Sequence, residues 1–430
     1  MDSNRVTDHQ QSKHSPTKSA WMIAPSPRLG GTQASMGDIE YICFVAISLA
    51  VGAFAIDVLL PALHAIGADM QENSRNAGQA VIAAFVLGMG GAQLLFGPLS
   101  DRYGRKPLFL TGLLIFLVGS VLTVIAKDFT LLLAVRFLQG IGAGGQRVVI
   151  FSIVRDRHSG VALARVLSLV MTVLLLEPLL SPMLGQGILL LGSWRTIAIT
   201  IVGVGVALLL WSTLRLHESL AVAQRQPISL IQLADAYRRV LAHGPACNAI
   251  LVLALITGAH LGFLTTSQSI FQQTFGMGLR YTLLLALVSI AMSLAALVNV
   301  KLVFRFGCPL LVRRCLQSMI FLNGFALTAS LFQAPSLWMF LALQSCNMFA
   351  FGLLLPNLTA LAMDPFGEIA GTASSLCGFL VATLSGLLAY VAGHAYDGTV
   401  RPMLATYVIL SLVSLLSLVW LRRPILAKSS

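Results

Sequence analysis

The sequence predicts an all-α membrane protein of twelve transmembrane helices in two pseudo-symmetric six-helix bundles. Three observations carry this reading: an apolar composition, a recurrence of span-length apolar stretches, and a short element repeated at the same ordinal position in each half. Of 430 residues, 57% are hydrophobic and 10% charged, with mean hydropathy +0.85, whereas soluble domains carry about 25% charged residues. Apolar stretches lie near 41–66, 77–99, 107–126, 129–153, 162–191, 195–214, 246–271, 281–303, 310–332, 335–361, 370–394 and 402–421. Each is about the length that crosses a hydrocarbon core of roughly 30 Å. The short alternating strands of a membrane barrel are not seen, so helices must satisfy the backbone in lipid.

Residues 1–40 are polar, without an apolar run, and read as a disordered cytoplasmic tail and not a signal peptide. The remaining organisation is an N-terminal bundle over 41–214, a cytoplasmic linker over 215–245, a C-terminal bundle over 246–421 and a cytoplasmic tail over 422–430. With the N-terminus inside, roughly 21 of the Lys and Arg residues fall on the tail side against about 5 opposite (Arg75, Lys127, Arg195, Arg280, Arg401). That bias accounts for the +12 net charge and places a multi-pass protein in the cell inner membrane with both termini cytoplasmic. The lipid bilayer is its partner. No folded basic domain is left for nucleic acid. The six cysteines are scattered through spans without paired spacing and read as packing residues, not metal ligands.

The linker splits the spans six and six. Asp101-Arg102-Tyr103-Gly104-Arg105 follows the second span and Phe304-Arg305-Phe306-Gly307 the eighth, so an Arg-aromatic-Gly element recurs as parallel repeats require. The fuller run from Gly97 to Pro107 (GPLSDRYGRKP) allows a tight turn at its glycines and a helix start at Pro107. It resembles the loop signature between the second and third helices of the major facilitator superfamily. The resemblance implies a conformational latch formed by Gly97, Asp101, Arg102, Gly104 and Arg105, with Asp156 as an ion-pair partner and Asp101 facing the opposite bundle. Further motifs resemble the bicyclomycin-resistance (Bcr/CflA) type of drug:proton antiporter. They are Ala55-Ile56-Asp57-Val58-Leu59-Leu60-Pro61 in the first span, Arg136-Phe137-Leu138-Gln139-Gly140 and Ile153-Val154-Arg155-Asp156 in the fourth, and Pro178-Leu179-Leu180-Ser181-Pro182-Met183-Leu184-Gly185 in the fifth. Of the last, Pro178, Pro182 and Gly185 match the antiporter motif. The chain departs from the pattern at Leu59, at His64 and at Glu177.

Two of the sixteen acidic residues, Asp57 and Glu177, lie deep in apolar spans. A carboxylate there costs several kcal/mol unless it is paired, hydrated or protonated, which marks an ion or substrate pathway. Counting helical rise puts Asp57, Glu177 and Arg136 near the midplane. Arg136 and Arg147 are eleven residues apart and share a helix face with Gln139, Ala143 and Gln146. Gln268, in a polar stripe with Thr265, Thr266, Ser269 and Gln272, joins Gln344 and Asn347 as an uncharged substrate wall. His64, His260 and His394 read as hydrogen-bonded structural histidines.

The functional expectation is proton-coupled export of a small organic molecule by alternating access, with Asp57 and Glu177 as proton carriers and a cavity of Arg136, Gln139, Gln146, Arg147, Gln268, Gln344 and Asn347. No Gly-Lys-Ser/Thr phosphate loop is present, so no cofactor is implied and an ion gradient supplies the energy. The partners are protons and one small-molecule substrate, and a monomer suffices. The alternatives are an exporter of an anionic metabolite such as a carboxylate siderophore, a polytopic membrane enzyme, and a non-transporting sensor. An enzyme needs a His/Asp/Glu cluster near a membrane face, which the sequence lacks.

Overall fold

The computed structural model describes residues 36–72, 77–174, 176–225 and 230–420. The expected tails, Arg75, and Gln226 and Pro227 of the linker lie outside the described residues or mostly so.

Long apolar segments wind into helices because each must satisfy its own backbone in lipid. The first eight are α1 (Asp38–Asp57), α2 (Leu63–Asp69), α3 (Ala77–Tyr103), α4 (Arg105–Ile125), α5 (Phe129–Arg157), α6 (Gly160–Leu174), α7 (Glu177–Leu191) and α8 (Trp194–Arg215). After α9 (Leu230–Ala242) come α10 (Gly244–Ser269), α11 (Tyr281–Phe306), α12 (Cys308–Phe332), α13 (Leu337–Met363), α14 (Ala370–His394) and α15 (Arg401–Trp420). Among the described residues no strand occurs, and 11 segments are long and apolar enough to cross a membrane.

Two spans differ from the continuous helices expected at 41–66 and 162–191. The first breaks after Asp57, passes through a 3₁₀ turn at Leu60–Ala62 and restarts as α2. Pro61 has no N–H for the Asp57 carbonyl, so the α-helical ladder cannot run through. The fifth is divided into α6 and α7, and Pro178, at the first turn of α7, likewise cannot donate to Leu174. The twelfth crossing is assembled from these two 15-residue helices.

Helices α1 to α8 pack among themselves, as do α10 to α15. Between the two groups α3 runs along α14, α7 meets α11, and the 3₁₀ turn meets α10. Small residues permit the closest approaches within the first group. A methyl on Gly140 would overlap the Phe85 carbonyl, and one on Gly142 the backbone of Phe116.

The basic loops at 101–106, 155–157, 215–225 and 305–314 share one end of the molecule, called the basic face below, and the opposite end is the far face. At the basic face Arg105 pairs with Asp156 (2.9 Å) and Asp101 (2.6 Å) and donates to Ser100 Oγ (2.6 Å). Asp101 is therefore occupied within its own loop. Glu218, after α8, accepts from the backbone N–H of Arg105 (2.9 Å) and Lys106 (3.3 Å), capping α4 where a helix start favours negative charge. Gly104 has φ +102°, and a methyl there would collide with the Glu218 carboxylate. The linker, expected only to be polar, holds the amphipathic α9, packed on α14 and α10. Tyr237 of α9 donates to Leu94 O (3.3 Å), the carbonyl that Pro98 leaves without its helical donor.

Glu218→Ala should cost about 1 kcal/mol, as loss of a helix cap does. Gly104→Ala should cost more, because positive φ adds to the collision. Thermal denaturation in detergent checks this: the double variant should recover part of the Gly104→Ala loss, since removing the carboxylate relieves the overlap and leaves the strain.

Candidate functional site

The break after Asp57 builds the site. Val58 N–H still reaches Phe54 O (3.0 Å), but Leu59 N–H turns to Ile56 O (3.2 Å), which leaves the Ala55 carbonyl without its i+4 donor. Arg136 of α5 fills that role, with Nη2 on Ala55 O at 3.2 Å. Its Nη1 donates to Gln139 Oε1, and the guanidinium lies 4.5 Å from the Phe85 ring centroid. Arg136 is 0% exposed. A buried cation without a carboxylate is costly, and these three contacts offset that cost.

Asp57 is buried and lies in the far-face half of the Asp38–Asp69 span, nearer that face than counting from residue 41 suggests. Glu177, half-buried at the start of α7, is close enough to Asp57 for their charges to interact, and it accepts from Ser181 Oγ at 2.7 Å. Both carboxylates thus occupy helix breaks. Among the described residues no ion pair joins either one to Arg136 or Arg147. Gly185 brings α7 against the break so tightly that a methyl would overlap Val58 O and stand 3.0 Å from Pro61 Cγ. Pro182 is buried on the same helix.

Tyr281 was not singled out from the sequence. It opens α11, is 0% exposed, interacts electrostatically with Asp57, and its hydroxyl has no partner among the described residues. The one sequence signal was its place just after the Gly276-Met277-Gly278 turn.

The rest of the expected cavity wall divides into spent and open groups. Gln139 donates to Ser120 Oγ (2.7 Å) and Gln146 to Ser48 O (3.1 Å), tying α5 to α4 and α1. Asn347 exchanges hydrogen bonds with Asn323 (2.8 and 3.0 Å) and donates to Gln344 (3.4 Å), all within the C-terminal helices. Thr265 and Thr266 bond their own helix at Gly262 O. Gln268 instead reaches across to the N-terminal helices, donating to Pro61 O at 2.6 Å. Arg147 alone on the α5 stripe is exposed, yet its guanidinium is enclosed by protein on the scale of the whole molecule. Arg147 lies ten residues from the basic-face end of α5, about 15 Å at helical rise. On the C-terminal side His260 stacks on Phe351, with centroids 4.0 Å apart.

Comparison with known proteins agrees with this architecture. Residues 42–390 match the family model described as Major Facilitator Superfamily. Among curated relatives, the multidrug resistance protein MdtL of Escherichia coli is 29% identical over 391 residues, covering 90% of this chain and 97% of its own. An uncharacterised MFS-type transporter of Bacillus subtilis, YdgK, is 27% identical over 396 residues with the same coverage. Among solved structures, the human organic anion transporter MFSD10 (TETRAN) aligns with TM-score 0.66 at 18% identity, covering 89% of this chain and 100% of its own. The xylose transporter XylE of E. coli, in a partially occluded inward-open conformation, aligns at 0.64 and 15% identity, covering 89% and 97%. With a family match across most of its length and the helical architecture to go with it, the chain belongs to the Major Facilitator Superfamily.

Proposed function

We propose that this chain is a proton-coupled secondary transporter that exports a small organic compound from the cell by alternating access, with its basic face in the cytoplasm. The observation that carries this reading is the Asp57–Glu177 pair: two neighbouring carboxylates at helix breaks inside the spans, with no cationic partner among the described residues. Keeping two such charges in a low-dielectric interior costs several kcal/mol, and one proton removes most of that cost. The pair therefore suits an exchange in which protons enter from the far face, substrate leaves, and protons are released to the cytoplasm. Arg136 takes no part in switching the pair. Its Nη1 and Nη2 bond Gln139 and Ala55, its Nε has no partner among the described residues, and no ion pair there joins it to either carboxylate.

Asp57→Asn should keep the fold and abolish gradient-driven transport, because an amide of similar size cannot accept a proton as a carboxylate does. Substrate-induced proton release from detergent-solubilised protein is the measurement. Undiminished release in both Asp57→Asn and Glu177→Gln would remove the proposed carriers.

A second reading concerns the charge of the substrate. Arg147 is an exposed cation within the α5 span and has no hydrogen bond or ion pair among the described residues. An anionic or zwitterionic compound would supply the missing charge, and a carboxylate would meet the planar guanidinium with two parallel hydrogen bonds. Arg147→Gln should then weaken transport of acidic compounds by roughly 30-fold, the scale of losing one desolvated charge partner. Neutral and cationic compounds should change little, and Arg147→Lys should rescue only in part. A competition panel matched for size decides, and an equal response across all three charge classes would leave the broad drug-exporter reading ahead.

A further inference from the structure

One ionisable side chain takes part in the far-face seam between the two helix groups. His64, in α2, follows the break that holds Asp57. Its backbone N–H donates to Gln268 Oε1 at 3.4 Å, and its ring Nε2 lies 2.7 Å from Gln273 Nε2 and 3.3 Å from Ser269 Oγ. Gln268 and Ser269 end α10, and Gln273 sits in the π-helical turn Ile270–Thr274 that follows. The seam therefore ties a broken end of the first span to an irregular end of the seventh.

The donor chemistry of the contact fixes the state of the ring. An amide nitrogen only donates, so with this amide orientation His64 Nε2 accepts and the neutral ring carries its proton on Nδ1. Nδ1 is itself buried with no hydrogen-bond partner among the described residues. Protonation turns Nε2 into a donor that faces the Gln273 amide N–H and the Ser269 hydroxyl. A rotated Gln273 amide or the hydroxyl can accept from it, and the buried Nδ1–H lacks an acceptor in both states, so what protonation adds is a positive charge at a seam where no carboxylate bonds the ring among the described residues.

Few charges face the ring. On its own segment Asp57 lies inward, and Asp69 is held by Arg195 and Trp194; Glu72 has interactions of its own. Helix α7 brings Glu177 alone, and α3 has no ionisable residue before Asp101. Beyond His260 and, at the basic-face start, Cys247, α10 and the π turn carry none, and α11 is preceded by Arg280 and opens with Tyr281. From the end of α14 and the turn after it come His394, with interactions of its own, and Tyr396, which donates to Ser269 O at 3.1 Å.

We infer that His64 is a positioning residue of the transport cycle: as a neutral acceptor it pins α10 to the broken first span and holds the far face shut, and protonation from that side releases the seam. The purpose of such a release rests on the proton-coupled reading above; the contacts do not.

The experiment uses full-length protein in lipid nanodiscs, without substrate. Spin labels are placed at Ser193→Cys and Gln333→Cys, exposed far-face positions in the N- and C-terminal halves, with the native cysteines replaced by serine. Distance distributions are recorded at pH 8 and pH 5. In wild type the long-distance population should rise several-fold at pH 5. His64→Gln, a neutral acceptor of similar reach, should stay in the short population at both pH values, and His64→Lys should populate the long one at both. A His64→Gln variant that keeps the wild-type response, or a wild type with none, overturns the inference. If His64→Gln does not elute as a monodisperse protein, Gln273→Leu carries the test: loss of the donor should open the seam at pH 8, and closure equal to wild type overturns the inference. Repeating the series with Asp57→Asn and Glu177→Gln separates the two proposals. A pH response that vanishes there belongs to the carboxylates and sinks the role of His64, while proton release on substrate binding tests the carboxylates whatever His64 does.

Discussion

The structure depends on one constraint, the backbone carbonyls that the break after Asp57 frees where water is scarce. Ala55 O takes Arg136 from α5, and Pro61 O takes Gln268 from α10. Val58 O lies against Gly185 of α7. A single interruption in the first span thereby fixes the rotation of α5, the approach of α7 and a tie to the C-terminal helices. The same economy recurs at the basic face, where Pro98 frees Leu94 O and Tyr237 of α9 takes it.

Committing Arg136 to a carbonyl has an electrostatic consequence for the carboxylates. A guanidinium beside Asp57 would hold a permanent charge there, as buried ion pairs do. With Arg136 bonded to Ala55 and Gln139 and set on the face of Phe85, Asp57 and Glu177 interact with each other, with the Ser181 hydroxyl and with Tyr281 among the described residues. On the proton-coupled reading proposed above, a pair left so answers to protons and not to a fixed counter-ion.

Much of this was legible in the sequence, and the misses have physical causes. Span number, the loop at 101–106 and the two buried acids follow from composition and from residues whose cost in lipid is large. The helix breaks were half visible: Pro61 and Pro178 announced lost hydrogen bonds, but a proline in a membrane helix can kink it or end it, and the choice is made by neighbours such as Gly185. The spacing of Arg136 and Arg147 put them on one helix face. That one is sealed and the other open was not legible there, because it depends on whether α1 and α3 cover that face at a given depth. Glu218 and Tyr281 were missed since each acts on a residue distant in sequence and carries no local pattern.

The strongest polar contacts are also not the ones that lie between the two halves. Arg105, Asp101, Asp156 and Glu218 form a charged cluster that joins α3, α4, α5 and the segment after α8, all on the N-terminal side. Such a cluster ties those segments of the N-terminal side to one another. The far-face seam instead uses neutral hydrogen bonds from Gln268, Ser269 and Gln273, each worth about 1 kcal/mol net. Small energies at the seam and larger ones within a bundle are what a two-state rocking motion needs, since a ligand or proton can shift an equilibrium only by its own differential binding energy.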